Sequence, residues 1–339
     1  NMVVAYDVEG RPVRAGQLGC VGAMVLLLKD ALMPNLVQTL EGQPMFVHGF
    51  PFANVAHGSS SLLGTKHALK LADVVVTEGG FATDLGAEKF FNIVCRQADF
   101  RPDCAVIVAS VRALKMHGGA CLEDVLECEG PDLEALEGGF ANLDKHIQNI
   151  QCFGVPAVVA INRFASDAEE EIELVREHCA KLAIPCAESR VFSEGGEGGV
   201  ELAEKVMQVI RTQKSDFHPL YDINLPIRDK IDLIATEIYG AKDVRYIGTA
   251  ERDIRAIELA GGNHLPVCMA KTQMSLSDDP NLKGAPKGWT LTVREVMMSS
   301  GAGFIVPLCG SMMLIPGLPT EPAAKRIDYS DDGRIIGLS

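Results

Sequence analysis

Residues 105–119 read Ala105-Val106-Ile107-Val108-Ala109-Ser110-Val111-Arg112-Ala113-Leu114-Lys115-Met116-His117-Gly118-Gly119. The first part, Ala105–Ser110, is small or β-branched and nearly all apolar, without alternation. That is the pattern of a strand covered on both faces. The stretch behind it reads as a loop that puts Arg112, Lys115 and His117 at the strand's end, where α/β sheets hold ligands. Four more runs of the same kind lie at Met45–His48, Asp73–Thr77, Ala157–Asn162 and Cys186–Phe192. Helical stretches separate them. Residues 59–72 begin after a serine cluster and carry leucines at 62, 63, 69 and 71. Residues 83–98 begin at Thr83-Asp84, side chains suited to capping the first amides. Residues 132–152 are amphipathic and stop near Gly154 and Pro156. Ser166-x-x-Glu169 has the form of a capping box opening a helix over 167–182. This alternation predicts an α/β fold with a doubly wound, mostly parallel sheet.

The pattern changes after about residue 215. His218-Pro219 and Leu225-Pro226 punctuate the chain, helices are expected at 226–239 and 251–260, and strands at Val267–Lys271, Thr290–Val296, Phe304–Leu308 and Ser311–Ile315. This reads as a smaller α+β domain with a mostly antiparallel sheet. No internal repeat or low-complexity tail is visible.

Composition narrows the function. Of 339 residues, 47% are hydrophobic and 22% charged, ordinary for a globular chain, and the formal net charge is −14. An acidic balance argues against nucleic acid, whose phosphates need a basic face. Ten cysteines are scattered without a C-x-x-C pair, a pattern of reduced thiols and not of a disulfide framework or a zinc site. Cys104 and Cys179 read as buried thiols. No apolar run reaches the roughly 20 residues needed to span a bilayer; the longest, Val21–Leu28, reads as a buried helix. The chain opens on Asn1 and almost directly on a strand, Met2–Tyr6, which predicts that it begins inside a longer protein.

Several loops carry candidate chemistry. His48-Gly49-Phe50-Pro51-Phe52-Ala53-Asn54-Val55-Ala56-His57-Gly58 puts two histidines and an asparagine before a serine-rich helix start, a place for a phosphate or carboxylate. A capped turn with surface histidines accounts for it equally well. Thr77-Glu78-Gly79-Gly80-Phe81-Ala82-Thr83-Asp84 ends a strand in an acid, suited to Mg²⁺ or an amine, and is also an ordinary turn into a helix. The cations Arg112 and Lys115, with His117, suit a phosphate or a glutamate tail, or form a solvated loop. Phe164 and Phe192 end two strands and could sandwich a flat heterocycle, though two phenylalanines at strand ends also serve as core. Gly195-Gly196-Glu197-Gly198-Gly199 has an acid at its centre and is no P-loop, and G-x-x-x-x-G-K-[ST] occurs nowhere in the sequence.

Together these strings resemble the formate–tetrahydrofolate ligase (formyltetrahydrofolate synthetase) family. The resemblance rests on Pro34–Gly42, Pro51–Asn54 with Ala56–Gly58, Asp84–Phe91, Val108–Gly119, Leu265–Thr272, Gly301–Ile305 and Pro316–Pro319. It implies an incomplete P-loop NTPase-like α/β domain over 1–163, a second α/β domain over 164–225 and an α+β domain over 226–339. It implies an ATP-dependent, cytoplasmic enzyme, tetrameric in the family, that joins formate to tetrahydrofolate through formyl phosphate, with Mg²⁺ and a monovalent cation such as K⁺. Phe164 and Phe192 match the aromatics that clamp the pterin, the second usually being Trp. His48, Asn54 and His57 are the catalytic candidates; Glu78, Asp84, Arg112, Lys115 and His117 match positions on the nucleotide side. No residue is assigned to a metal. The family's P-loop and its formyl-phosphate arginine lie upstream of residue 1, so this chain alone is expected to be inactive. A P-loop-bearing companion chain would complete it. The alternative is a non-catalytic folate-binding or scaffolding paralogue.

Overall fold

A computed structural model describes residues 1–121, 123, 125, 130–314, 321–330 and 334–337. Cys128, Ile315 and the 316–319 string lie outside them.

The parallel sheet stands where the opening stretch places it. β5 (Ala105–Ala109), β6 (Ala157–Asn162) and β7 (Cys186–Ser189) pair in that order, all parallel. From Ala157 to Ile161 every β6 residue is buried, so both faces of the central strand are covered. The β5–β6 crossover contains the helix Leu133–Gln151, whose buried Leu136, Phe140, Leu143, Ile147 and Ile150 recur at three- and four-residue steps along one stripe. Asp132 caps it, accepting the Ala135 N–H at 3.0 Å. The helix Glu169–Lys181 joins β6 to β7, and Val200–Thr212 follows. These crossovers bear out the α/β reading.

A second sheet has the order β10-β9-β8, from β8 (Asp243–Tyr246), β9 (Thr290–Ser299) and β10 (Phe304–Cys309). It is mixed: β9 and β10 are antiparallel, β8 and β9 parallel. One hydrophobic core runs from Phe91 through Ile161, Ile172 and Ile231 to Leu291 and Ile305.

Several expectations are corrected. Met45–His48 is not a strand of the parallel sheet. β4 (Pro44–Val47) pairs antiparallel with β3 (Asn35–Gln38) across a tight turn, because closing a short hairpin costs little chain entropy. Another hairpin joins β1 (Val3–Tyr6) and β2 (Pro12–Arg14). Asp73–Thr77 is not a strand; it finds no ladder partner among the described residues, and Val76 is 90% exposed. Val267–Lys271 makes only isolated bridges to β10, and Ser311–Leu314 forms a turn. The helix Val21–Leu28 forms but buries no residue, with Leu27 82% exposed; apolar on all sides, it leaves most of its surface uncovered by the described residues. Residues 111–117 are a helix, not a loop, capped by Ser110. The Glu169 helix begins after Ala168, and Glu171, not Glu169, accepts the Ala168 N–H at 3.2 Å. Cys104 is only half-buried, whereas Cys179 is buried. The described cysteines are all free, and no helix among the described residues is long and apolar enough to cross a membrane.

Candidate functional site

The carboxyl ends of β5, β6 and β7 deliver Arg112, Arg163-Phe164 and Glu188–Arg190 to one edge. There a cleft of about 300 Å³ is lined by Arg163, Phe164, Ala165, Glu169, Arg190, Ser193 and Glu194. Phe164 is half-buried and fixed: its N–H donates to the Asp167 carboxylate at 2.8 Å, and the Arg112 guanidinium carbon lies 4.5 Å from its ring centre. Arg112 in turn donates to Ser166 Oγ at 2.9 Å. Phe192 is not at a strand end, since β7 stops at Ser189; it rides a one-turn helix, Val191–Glu194, and is 93% exposed. It projects beside the cleft without lining it.

Glu188 holds this edge together. Arg163 and Arg176 each donate to it at 2.9 Å, and Arg190 donates at 2.5 Å. Burial pushes its pKa up, but the Arg190 and Arg163 hydrogen bonds overcome this and hold it at about 2. Lys115 is spent too: its Nζ pairs with the buried Glu171 at 2.8 Å, and Glu171 also accepts the Asp132 and Ala168 N–H groups. Lys115 is therefore neutralised, whereas Arg112 forms no ion pair among the described residues and keeps its charge beside Phe164.

A second group gathers where the helical stretch 83–98 begins. Thr83 and Asp84 do not cap it. Thr83 Oγ1 bonds His146 Nδ1 at 2.7 Å, and Asp84 forms a buried ion pair with Lys271 at 2.8 Å. Burial disfavours the Asp84 charge, but Lys271 prevails and its pKa is lowered. Lys271 also donates to the Ser275 carbonyl at 2.6 Å, and its N–H donates to Asn54 O at 3.2 Å. Lys89, fully buried, donates to Ala53 O. Asn54 reaches Gln273 at 3.3 Å and leaves its Oδ1 buried without a partner. Burial, then Lys89, lowers the His57 pKa. Gly86 permits this packing, because a Cβ there would meet the backbone of Gly79 and Gly80. This stretch contains wide π-type turns at Thr83–Ala87 and Phe90–Cys95, a form that recurs at functional sites.

Glu88 is the outlier of this group. It is fully buried, accepts from Asn92 Nδ2 at 2.7 Å through Oε1 and leaves Oε2 unpartnered. Burial raises its pKa to about 7. His117 accepts the Gly284 N–H at Nδ1, 3.2 Å away, and burial with His146 and Lys283 holds its pKa near 4; the ring is neutral with its proton on Nε2.

The candidate residues thus fall into two sets: Asn54, His57, Asp84 and His117 around the buried pair, and Arg112, Lys115, Phe164 and Phe192 at the sheet edge. His48 and Glu78 join neither. His48 is tied by Ser61 Oγ and Ala31 O, each at 2.7 Å. Glu78 is exposed and makes no hydrogen bond or ion pair among the described residues. Lys89, Lys271, Glu188 and Glu88 escape sequence reasoning. Their one signal is a charge set in an apolar run, as in Cys268-Met269-Ala270-Lys271. Among the described residues no group of three or more His, Cys, Asp or Glu could hold a metal ion.

A cleft with a fixed aromatic ring, outside the carboxyl ends of parallel strands, is where α/β proteins that act on small molecules hold their ligands. The model of the formate–tetrahydrofolate ligase family matches residues 1–339, and the chain belongs to that family. The family's reaction is the ATP-dependent ligation of formate to tetrahydrofolate.

Proposed function

We propose that this chain supplies the folate-binding part of that ligation, with the pterin held against Phe164 in the cleft and Phe192 closing over it. The observation that carries this reading is the Phe164 ring, which lines a cleft at the carboxyl edge of the parallel sheet and has the Arg112 guanidinium 4.5 Å from its centre. The proposed chemistry has two steps. A formate oxygen attacks the γ-phosphorus of ATP and ADP leaves, giving formyl phosphate. The folate N10 amine then attacks the formyl carbon, phosphate leaves, and the nitrogen loses its proton. Catalysis of this kind is mostly positioning and charge neutralisation. Asn54, His57, Asp84 and His117 are proposed to support the nucleotide side, and His48 to fix the loop that carries Asn54 and His57. Mg²⁺, held chiefly by the ATP phosphates, and a monovalent cation such as K⁺ would supply charge neutralisation during the phosphoryl transfer.

The triphosphate cradle is proposed to come from a P-loop-bearing segment or companion chain. The exposed helix Val21–Leu28, with exposed Val106 and Val108 on the edge strand β5, supports such a partner or a further copy of the chain. The division at 163/164 would set the cleft at a domain boundary. The test is formation of formyltetrahydrofolate from ATP, formate and tetrahydrofolate, with and without the family's P-loop segment added in trans. Product in either arm supports the ligase. Folate binding without product in both arms would favour the non-catalytic paralogue.

A further inference from the structure

The glycine run Gly195–Gly199 leads from the cleft wall into the helix Val200–Thr212. It folds back on the cleft, since the Arg190 N–H donates to Gly198 O at 2.9 Å. A carboxylate is already seated on it. Glu41, in the turn between β3 and β4, accepts the Gly196 N–H through Oε1 from 155 residues away. Both of its oxygens occupy the space that side chains would take: a Cβ on Gly195 would stand 2.6 Å from Oε1, and one on Gly196 would collide with Oε2. Gly195, at φ 61°, turns the following amide toward this hollow. Two adjacent glycines thus shape a cradle that a carboxylate fills.

The occupant is weakly held. Glu41 is exposed, forms no ion pair among the described residues, and sits on a hairpin whose β3 residues are all exposed. The neighbouring Arg190 is committed to Glu188, so the single Gly196 amide holds the carboxylate. An exposed hydrogen bond of this kind is readily exchanged for another carboxylate.

We propose that Gly195 and Gly196 form a carboxylate subsite at the mouth of the Phe164 cleft, and that Glu41 is its internal occupant, displaced by a substrate carboxylate. The inference rests on the folate reading of that cleft. Two substrates carry the required group: the glutamate end of tetrahydrofolate, and formate.

The test is calorimetric titration of the full chain, its Glu41→Ala variant and its Gly196→Ala variant. The ligands are tetrahydrofolate, its diamide with both glutamate carboxylates converted to carboxamides, and formate. Gly196 does not have a positive φ, so alanine there fills the cradle without straining the backbone; a melting curve confirms folding, and Glu41→Ala alone decides if that variant fails to fold. If the glutamate tail is the ligand, Glu41→Ala binds tetrahydrofolate roughly three- to tenfold tighter, leaves the diamide unchanged, and Gly196→Ala brings tetrahydrofolate down to the diamide's affinity. If formate is the ligand, the same changes appear with formate and not with tetrahydrofolate. Unchanged affinities for tetrahydrofolate and formate in the variants, with the diamide still bound, would overturn the subsite and leave the cleft reading standing. Failure of all three ligands to bind any form would overturn both.

Discussion

The guanidinium carbon of Arg112 lies 4.5 Å from the centre of the Phe164 ring, across 52 residues of sequence, and its Nη2 donates to Ser166 two positions beyond that ring. One cation thereby fixes the plane of the aromatic side chain that faces the cleft. A cation over a ring contributes about 0.5–1 kcal/mol at an exposed site and more when desolvated. Replacing Arg112 with alanine is expected to weaken tetrahydrofolate binding about two- to tenfold, with Arg112→Lys recovering part of the loss. Titration of pterin fluorescence checks it. Equal affinity in Arg112→Ala would show that the stacking does not position the ring.

Phe192 is almost fully exposed beside that cleft, so its ring has a free face. Enlarging that face with Phe192→Trp should tighten folate binding, and Phe192→Ala should weaken it by about 1 kcal/mol, the scale of an aromatic pair. Because so little of the side chain is buried, both variants should keep the parent melting temperature. A matching loss of stability would assign Phe192 to packing instead.

Asp84 and Lys271 form the most deeply buried ion pair described here. Removing one partner leaves the other charge unpaired in the core. Asp84→Asn or Lys271→Met is expected to cost about 3–5 kcal/mol in urea unfolding. The double variant should cost less than the sum of the two, since each single change includes the penalty of the stranded charge.

Glu88 and His117 set opposite pH dependences. The folded pKa of Glu88 is raised to about 7 from 4.5, so the native state favours its neutral form. Its stabilisation is complete below pH 4.5 and is lost as the pH rises through 7. Glu88→Gln should therefore raise stability at pH 8 and flatten the decline between those values. The folded pKa of His117 is lowered to about 4 from 6.5, so stability is present above 6.5 and is lost as the pH falls toward 4. His117→Asn, which keeps an acceptor for the Gly284 N–H, should reduce that acid loss. Urea midpoints measured from pH 4 to 8 read both effects.

The amino-acid pattern by itself determined the α/β class, the strands at 105–109 and 157–162 and the start of the one at 186, which it carried on to Phe192 where the structure ends it at Ser189, and the helices over 133–151 and 169–181. It did so because the burial of a strand on both faces and of a helix along one stripe is written in neighbouring residues. It also singled out Phe164 and the loops at the strand ends. Tertiary structure alone decided how the charges are used. Arg112 and Lys115 look alike in the sequence, yet Arg112 lies against the Phe164 ring and keeps its charge, while Lys115 is paired with Glu171, 52 and 56 positions away. The Asp84–Lys271 pair and the seat of Glu41 on Gly196 arise the same way. A charge's partner depends on which distant backbone arrives within a few ångströms, and no local periodicity encodes that distance. The same limit governs Asp73–Thr77, which has the composition of a strand but becomes one only beside a neighbour whose amides and carbonyls it can pair with.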